Sequence, residues 1–117
     1  MNNIGKIGEE LARHYLSKKG YHILEQNYRV VFGEIDIIAE KNNCICFIEV
    51  KCRKSQKYGL PEESITKYKM NKIIKVTQLY IKQKGIEDKL FRFDVITLQF
   101  NHRLLAKIKH IPNAFHC

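Results

Sequence analysis

Apolar residues at the start of the chain recur at helical spacing. Ile4, Ile7, Leu11 and Tyr15 lie three or four apart, with Gly8, Ala12 and Leu16 beside them. This period predicts a helix over Ile4–Lys18, stopped by Gly20. Tyr21–Arg29 alternates loosely between apolar and polar. Val30–Ala39, interrupted by Gly33, and Cys44–Cys52 are richer in Ile, Val and Phe. All three read as strands. Lys54–Ser64, with Gly59 and Pro61, reads as a loop. Thr66 is placed to cap a second helix running to about Lys84, in which Met70, Ile73, Ile74, Thr77 and Ile81 form one stripe and Gly85 is the stop. Phe91–Phe100 has few polar positions and reads as a central strand. Leu104–Ile111 reads as an extra C-terminal edge strand closed by Pro112. The order α-β-β-β-α-β, with that edge strand added, predicts an α/β fold: a mixed sheet flanked by helices.

Gly33–Arg53 departs from the pattern, because Glu34, Asp36, Glu49 and Lys51 interrupt otherwise apolar strands. Asn42-Asn43 lies midway and suits a tight two-residue turn, since Asn tolerates left-handed backbone. With that turn, Asp36 falls opposite Glu49 and Glu34 opposite Lys51. Ile35, Ile37 and Ala39 then face Val50, Ile48 and Cys46 on the other side. The period of two keeps the four charges on one face. Two carboxylates directly opposite one another repel, more strongly when partly buried. Two arrangements relieve this. One is a divalent cation such as Mg²⁺, held by the carboxylates with water and phosphate oxygens. The other is a solvated ladder in which Glu34 pairs with Lys51 while Asp36 and Glu49 face water. The Ile, Val and Phe around them are poor company for a fully solvated face.

Composition narrows the class. The 117 residues, 44% hydrophobic, suffice for one domain, residues 1–117, with a single core. No apolar run approaches a membrane span, and MNNIGKIGEELARH has no signal core, so a cytoplasmic protein is expected. The formal charge of +9 is unevenly placed: residues 1–50 hold six Lys/Arg against seven Asp/Glu, and residues 51–89 hold eleven against four. A basic surface suits a polyanion such as nucleic acid; it also suits a soluble protein of high pI. Cys44, Cys46, Cys52 and Cys117 form no CxxC pair and read as small apolar residues. His14, His22, His102, His110 and His116 are scattered and read as surface or edge residues.

Asp36, a hairpin, then Glu49-Val50-Lys51 resembles the D…(D/E)-x-K signature of the PD-(D/E)XK nuclease superfamily. More closely, the chain resembles the YraN-like family of small bacterial proteins. The matching stretches are GKIGEELARHYL (Gly5–Leu16), GEIDIIA (Gly33–Ala39), FIEVKCR (Phe47–Arg53), RFDVI (Arg92–Ile96) and HIPNAF (His110–Phe115). The bare D…ExK pattern is weak; the ordered set covers essentially the whole chain. The resemblance implies a restriction-endonuclease-like core. It also implies a metal-dependent endonuclease of DNA, branched or single-stranded, similar to the archaeal Holliday junction resolvases. By that resemblance Asp36 and Glu49 bind Mg²⁺ (or Mn²⁺), the Val50 carbonyl adds a ligand, and Lys51 orients the attacking water and stabilises charge on the phosphate. Glu9 matches an acid that resolvase-like members add from the first helix. The proline that often precedes the aspartate is replaced by Ile35.

Helical geometry favours Glu9 over Glu10, because Glu9 lies beside Gly5, Ala12 and Leu16, while Glu10 falls with Lys6, Arg13 and Ser17. An acid early in a helix is also what the helix dipole favours. Glu34 is a second-tier metal candidate. Arg53, Lys54 and Lys57, running out of the third strand, form a candidate nucleic-acid face. Lys69, at the edge of the second helix's apolar stripe, matches a lysine common in the family and joins them. Lys67, Lys72, Lys75 and Lys82 fall farther round that helix. A homodimer is implied by resemblance to the resolvases. Two other classes fit the charge: a module that binds nucleic acid without cutting it, and an interaction domain whose basic face meets an acidic protein.

Overall fold

Helix α1 (Ile4–Lys18) forms where the period predicts it and buries Gly8, Ala12 and Leu16. The computed structural model describes residues 4–54, 66–103 and 105–115. Strands β1 (His22–Val30), β2 (Gly33–Lys41) and β3 (Cys44–Arg53) follow, then α2 (Lys67–Lys84), β4 (Leu90–Phe100) and β5 (Ala106–Phe115). The fold is α/β, with a five-stranded mixed sheet in the order β1-β2-β3-β4-β5. Only β3–β4 is parallel, and α2 lies between those two strands in the chain.

Side chains alternate along β3. Ile45 and Phe47 pack with Ile73, Val76 and Tyr80 of α2, whereas Cys46 and Ile48 pack with Ala12 and Leu16 of α1. The helices therefore cover opposite faces. α1 comes close because Gly8 has no side chain: a Cβ there would lie 2.1 Å from Cys52 Sγ. Thr66 caps α2 by accepting the Lys69 N–H, and Gly85 ends it in the left-handed region at φ 61°. Cys44, Cys46 and Cys52 carry free thiols.

Several boundaries differ from expectation. Val30 belongs to β1, and Val31-Phe32 form the β1–β2 turn. β4 is an inner strand, between β3 and β5, but the middle strand is β3. β5 is the edge strand expected, yet Pro112 does not close it. The register passes from Val95↔Ile111 to Phe93↔Phe115, so two extra residues are looped out there, with Asn113 at φ 55°. Pro is tolerated at such a bulge on an edge.

Asp94 organises this bulge. It is fully buried and takes bonds from Arg92 Nε (2.8 Å) and Nη2 (2.9 Å), from the Asn113 N–H (2.9 Å) and from His110 Nε2 (2.8 Å). Burial pushes its pKa up, but these donors outweigh burial and hold it below the usual carboxylate range. Arg92 Nη2 also donates to the Tyr21 hydroxyl at 2.8 Å. His110 thus lies on the edge strand, as expected, with its ring turned inward. Arg92, Asp94, His110 and Asn113 come from the RFDVI and HIPNAF stretches, whose shared task here is to fasten β5 to β4.

Candidate active site

The turn at Asn42 and Asn43 has both residues left-handed, φ 51° and 61°. The β2–β3 register it sets is the expected one, from Lys41↔Cys44 to Ile37↔Ile48. There the ladder ends, and the strands part before Asp36 and Glu49 can pair. Asp36 Oδ2 instead accepts the Val50 N–H at 2.8 Å. On the other side of β2, the β1 ladder runs Gln26↔Ile37 and Tyr28↔Ile35, leaving Asn27 opposite Asp36 without a ladder pair. Asn27 has φ 52°. A left-handed residue inside a strand re-aims its neighbours. The expected apolar face is broken: Ile35 packs in the α2 cluster, while Ile37 and Ala39 pack in the α1 cluster.

The gap is a cavity of about 310 Å³ lined by Glu9, Gly33, Glu34, Asp36, Glu49, Val50, Lys69, Lys72 and Ile73. Larger concavities lie elsewhere: those of about 430 and 540 Å³ have no carboxylate in their lining, and one of about 380 Å³ on α1 has only Glu10. Glu49 is only 5% exposed. Its Oε2 lies 2.7 Å from Lys69 Nζ and 3.8 Å from Lys51 Nζ. Burial, then the Glu49 charge, pushes the Asp36 carboxyl up to about 8. This favours the protonated carboxyl, and a hydrogen bond with Glu49 adds to the rise. Burial, then the neighbouring Lys69, brings Lys51 down to about 8. Burial draws Lys69 down, but its bond to Glu49 prevails and raises it. Glu9 is raised, first by burial and then by Glu34 and Glu49, although Asn27 hydrogen-bonds to it.

Glu9, Asp36, Glu49 and Lys69 are thus brought together, with Lys51 beside Glu49. Glu10 turns outward to Arg13 at 2.9 Å. Glu34 lines the rim, but it pairs with Arg29 of β1, whose Nε donates at 2.7 Å, and not with Lys51. The solvated ladder fails on this point, because β1 supplies a nearer cation. Arg53 donates to the Cys52 carbonyl, and exposed Lys54 lines a different concavity with Gln99 and Asn101; neither lines the cavity. Lys57 lies outside the described residues. Lys72, expected farther round α2, lines the cavity one turn after Lys69. Asn27 was not singled out by the pattern; an Asn in mid-strand, tolerant of left-handed backbone, is the signal that marks it.

The donor set is all oxygen and suits a hard divalent cation, which often takes only one or two protein carboxylates. A cation here would replace the proton on Asp36 and compete with Lys69 for Glu49. Among the described residues, no group of three or more His, Cys, Asp or Glu stands ready to hold an ion. Two carboxylates and the Val50 carbonyl, completed by water or phosphate, remain a compatible set.

A family model described as "Uncharacterised protein family UPF0102" matches residues 8–98. The chain is 46% identical over 114 residues to a UPF0102 protein of Caldanaerobacter subterraneus, covering 96% of this chain and 93% of that one. It is 50% identical over 111 residues to one of Persephonella marina (95% and 91% covered) and 51% identical over 119 residues to one of Clostridium botulinum (97% and 94%).

Proposed function

Because the chain belongs to the UPF0102, or YraN-like, family, we propose that it is a metal-dependent endonuclease that hydrolyses phosphodiester bonds of DNA. In this reading residues 1–117 form one restriction-endonuclease-like domain acting in the cytoplasm, in repair or recombination, as a homodimer. The strand order and the parallel β3–β4 pair around α2 support that fold. The observation that carries the activity is the cavity in which Asp36 and Glu49 converge, with Lys51 beside them and Glu9 opposite.

Asp36, Glu49 and the Val50 carbonyl would hold Mg²⁺ (or Mn²⁺), with Glu9 and Glu34 acting through water. The ion would supply positive charge to the scissile phosphate and its attacking water. Lys51, with a pKa brought to about 8, is poised to orient that water and to exchange a proton near neutral pH. Lys69 holds Glu49 at 2.7 Å; with a cation bound to that carboxylate it would be free to meet a phosphate oxygen. Lys72 adds charge at the mouth. Arg53, Lys54 and Lys57 remain candidates for the strand beyond the cavity.

The test is purified protein with Mg²⁺ and a panel of branched, duplex and single-stranded DNAs. Cleavage should vanish equally in Asp36→Ala, Glu49→Ala and Lys51→Ala. Activity that survives all three belongs to a contaminant. A second reading, a module that binds DNA or an acidic protein without cutting, is favoured by one observation: Lys69 at 2.7 Å already neutralises Glu49. Calorimetric titration separates the two, since a pure binder shows no Mg²⁺ or Mn²⁺ site that depends on Asp36 and Glu49.

A further inference from the structure

The β1–β2 turn carries its apolar residues outward. Val31 is fully exposed, Phe32 is 44% exposed, and Tyr68 in the first turn of α2 is 69% exposed. Neither strand alternation nor the stripe of α2 requires large rings at these positions. Each is next in sequence to a residue that lines the carboxylate cavity, Phe32 before Gly33 and Tyr68 before Lys69. Phe32 precedes Gly33, which lines the cavity and approaches α2 so closely that a Cβ would lie 2.8 Å from Val76 Cγ2. Lys72, which lines the same cavity, has its Nζ 4.8 Å from the centre of the Tyr68 ring. Two exposed aromatic residues thus adjoin cavity-lining residues, and cavity-lining Lys72 lies over the ring of one of them.

The charge around these rings selects the occupant. α2 carries Lys67, Lys69, Lys72, Lys75, Lys82 and Lys84 and no acid. An apolar protein surface would have to strip water from these ammonium groups without compensation. Duplex DNA offers phosphates to the lysines, but its base faces are stacked inside. An unpaired strand offers both phosphates for the lysines and bare base faces for the rings.

We propose that Phe32 and Tyr68 stack on unpaired bases flanking the phosphate that enters the cavity, so that the site takes single-stranded DNA, free or as an arm of a branched molecule. This rests on the endonuclease reading for the place of the phosphate. The stacking itself is separable from cleavage.

Binding is read in EDTA, by fluorescence anisotropy of a labelled oligothymidine of about 15 nucleotides. The comparisons are an abasic strand and a duplex of equal length. The oligothymidine should bind at least about tenfold more tightly than either. Phe32→Ala and Tyr68→Ala should each lose about tenfold on the oligothymidine and almost nothing on the abasic strand. Tyr68→Phe, which keeps the ring, should bind as the parent does. Equal affinity for thymidine and abasic strands overturns the proposal, as does tighter binding of the duplex or full retention of affinity in both alanine variants. Absence of cleavage in Mg²⁺ alongside intact base-dependent binding removes the nuclease reading and leaves the stacking surface. Cleavage without base-dependent binding does the reverse.

Discussion

Replacing Asp36 by Asn tests the electrostatics of the cavity without altering its shape. In the metal-free protein the Asp36 carboxyl is carried from 3.8 to about 8, by burial and then by Glu49. Between those values the native state holds a proton that the unfolded chain has released. Stability then falls as pH rises, by roughly 1.4 kcal/mol per unit. From about pH 5 to about pH 8 the loss from this group is up to roughly 4 kcal/mol, a large share of the ~5–15 kcal/mol of a typical domain. Lys51 has the opposite sign. Its native pKa is lowered to about 8 from 10.5, so above pH 8 the unfolded chain binds more protons and stability recovers. Above about pH 9 the Cys46 and Cys52 thiols, raised by burial to about 12 and about 11, oppose that recovery. An Asn at position 36 can still accept the Val50 N–H and donate to Glu49, but it does not titrate. Urea midpoints in EDTA should fall far less between about pH 5 and about pH 8 in Asp36→Asn than in the parent. A residual slope will remain from Glu9, which burial also raises. Near pH 8 the variant should be the more stable protein. Parallel curves for the two proteins would refute the claim that Asp36 is forced to keep its proton.

Mg²⁺ must displace that same proton, so the rise in melting temperature on adding Mg²⁺ should be larger at about pH 8 than at about pH 6 in the parent, and absent in Asp36→Asn. Lys69→Met leaves Glu49 buried with only Lys51, 3.8 Å away, beside it. In EDTA it should be less stable than the parent by calorimetry, and by titration it should bind Mn²⁺ more tightly, because a competing cation is gone. Gly8→Ala places a Cβ 2.1 Å from Cys52 Sγ and should cost about 1–3 kcal/mol in urea unfolding. Adding Cys52→Ala should recover much of that loss. Asp94→Ala strands Arg92 and removes the anchor of Asn113, for a cost of about 3–5 kcal/mol at neutral pH. Since the Asp94 carboxyl is held below its usual value, the parent's advantage over this variant should shrink as pH falls through the carboxylate range.

What was legible in the sequence was local or periodic. The apolar stripe fixed α1, Thr66 and Gly85 bounded α2, and Asn42-Asn43 set the β2–β3 register to within a residue. Departures arose where a distant element decided the outcome. Glu34 goes to Arg29, which the short Val31-Phe32 turn sets opposite it, a pairing hidden while Val30 and Val31 are assigned to the second strand. The continuation of β5 past Pro112 depends on Asp94, in another strand, taking the Asn113 N–H. Lys72 lies beyond the edge of the α2 stripe when that helix is taken alone. Its approach to the cavity depends on how closely the β1–β2 turn, through Gly33, docks on the helix. Ile35 faces the α2 side beside Asp36, whose cross-strand neighbour Asn27 is left-handed, and no alternation within β2 carries that switch.

The cavity exists because the sheet fails to pair at one place. Had β2 and β3 continued their ladder, Asp36 and Glu49 would face each other as a fixed cross-strand pair, close enough to repel and too constrained to part. Where the ladder stops, Asp36 takes the Val50 N–H, and Glu9 of α1 and Lys69 of α2 line the gap beside the two carboxyls. The charges then balance in either of two ways: a proton on Asp36 with Lys69 on Glu49, or a divalent cation on both carboxylates with the lysine released. The Lys69–Glu49 contact at 2.7 Å fits the first. The second would free a cationic side chain at the mouth of the cavity, where a phosphate would approach. In the proposed enzyme the two options would couple metal loading to readiness for a polyanion, and Lys69→Met should uncouple them: tighter metal binding with weaker, less salt-dependent binding of DNA.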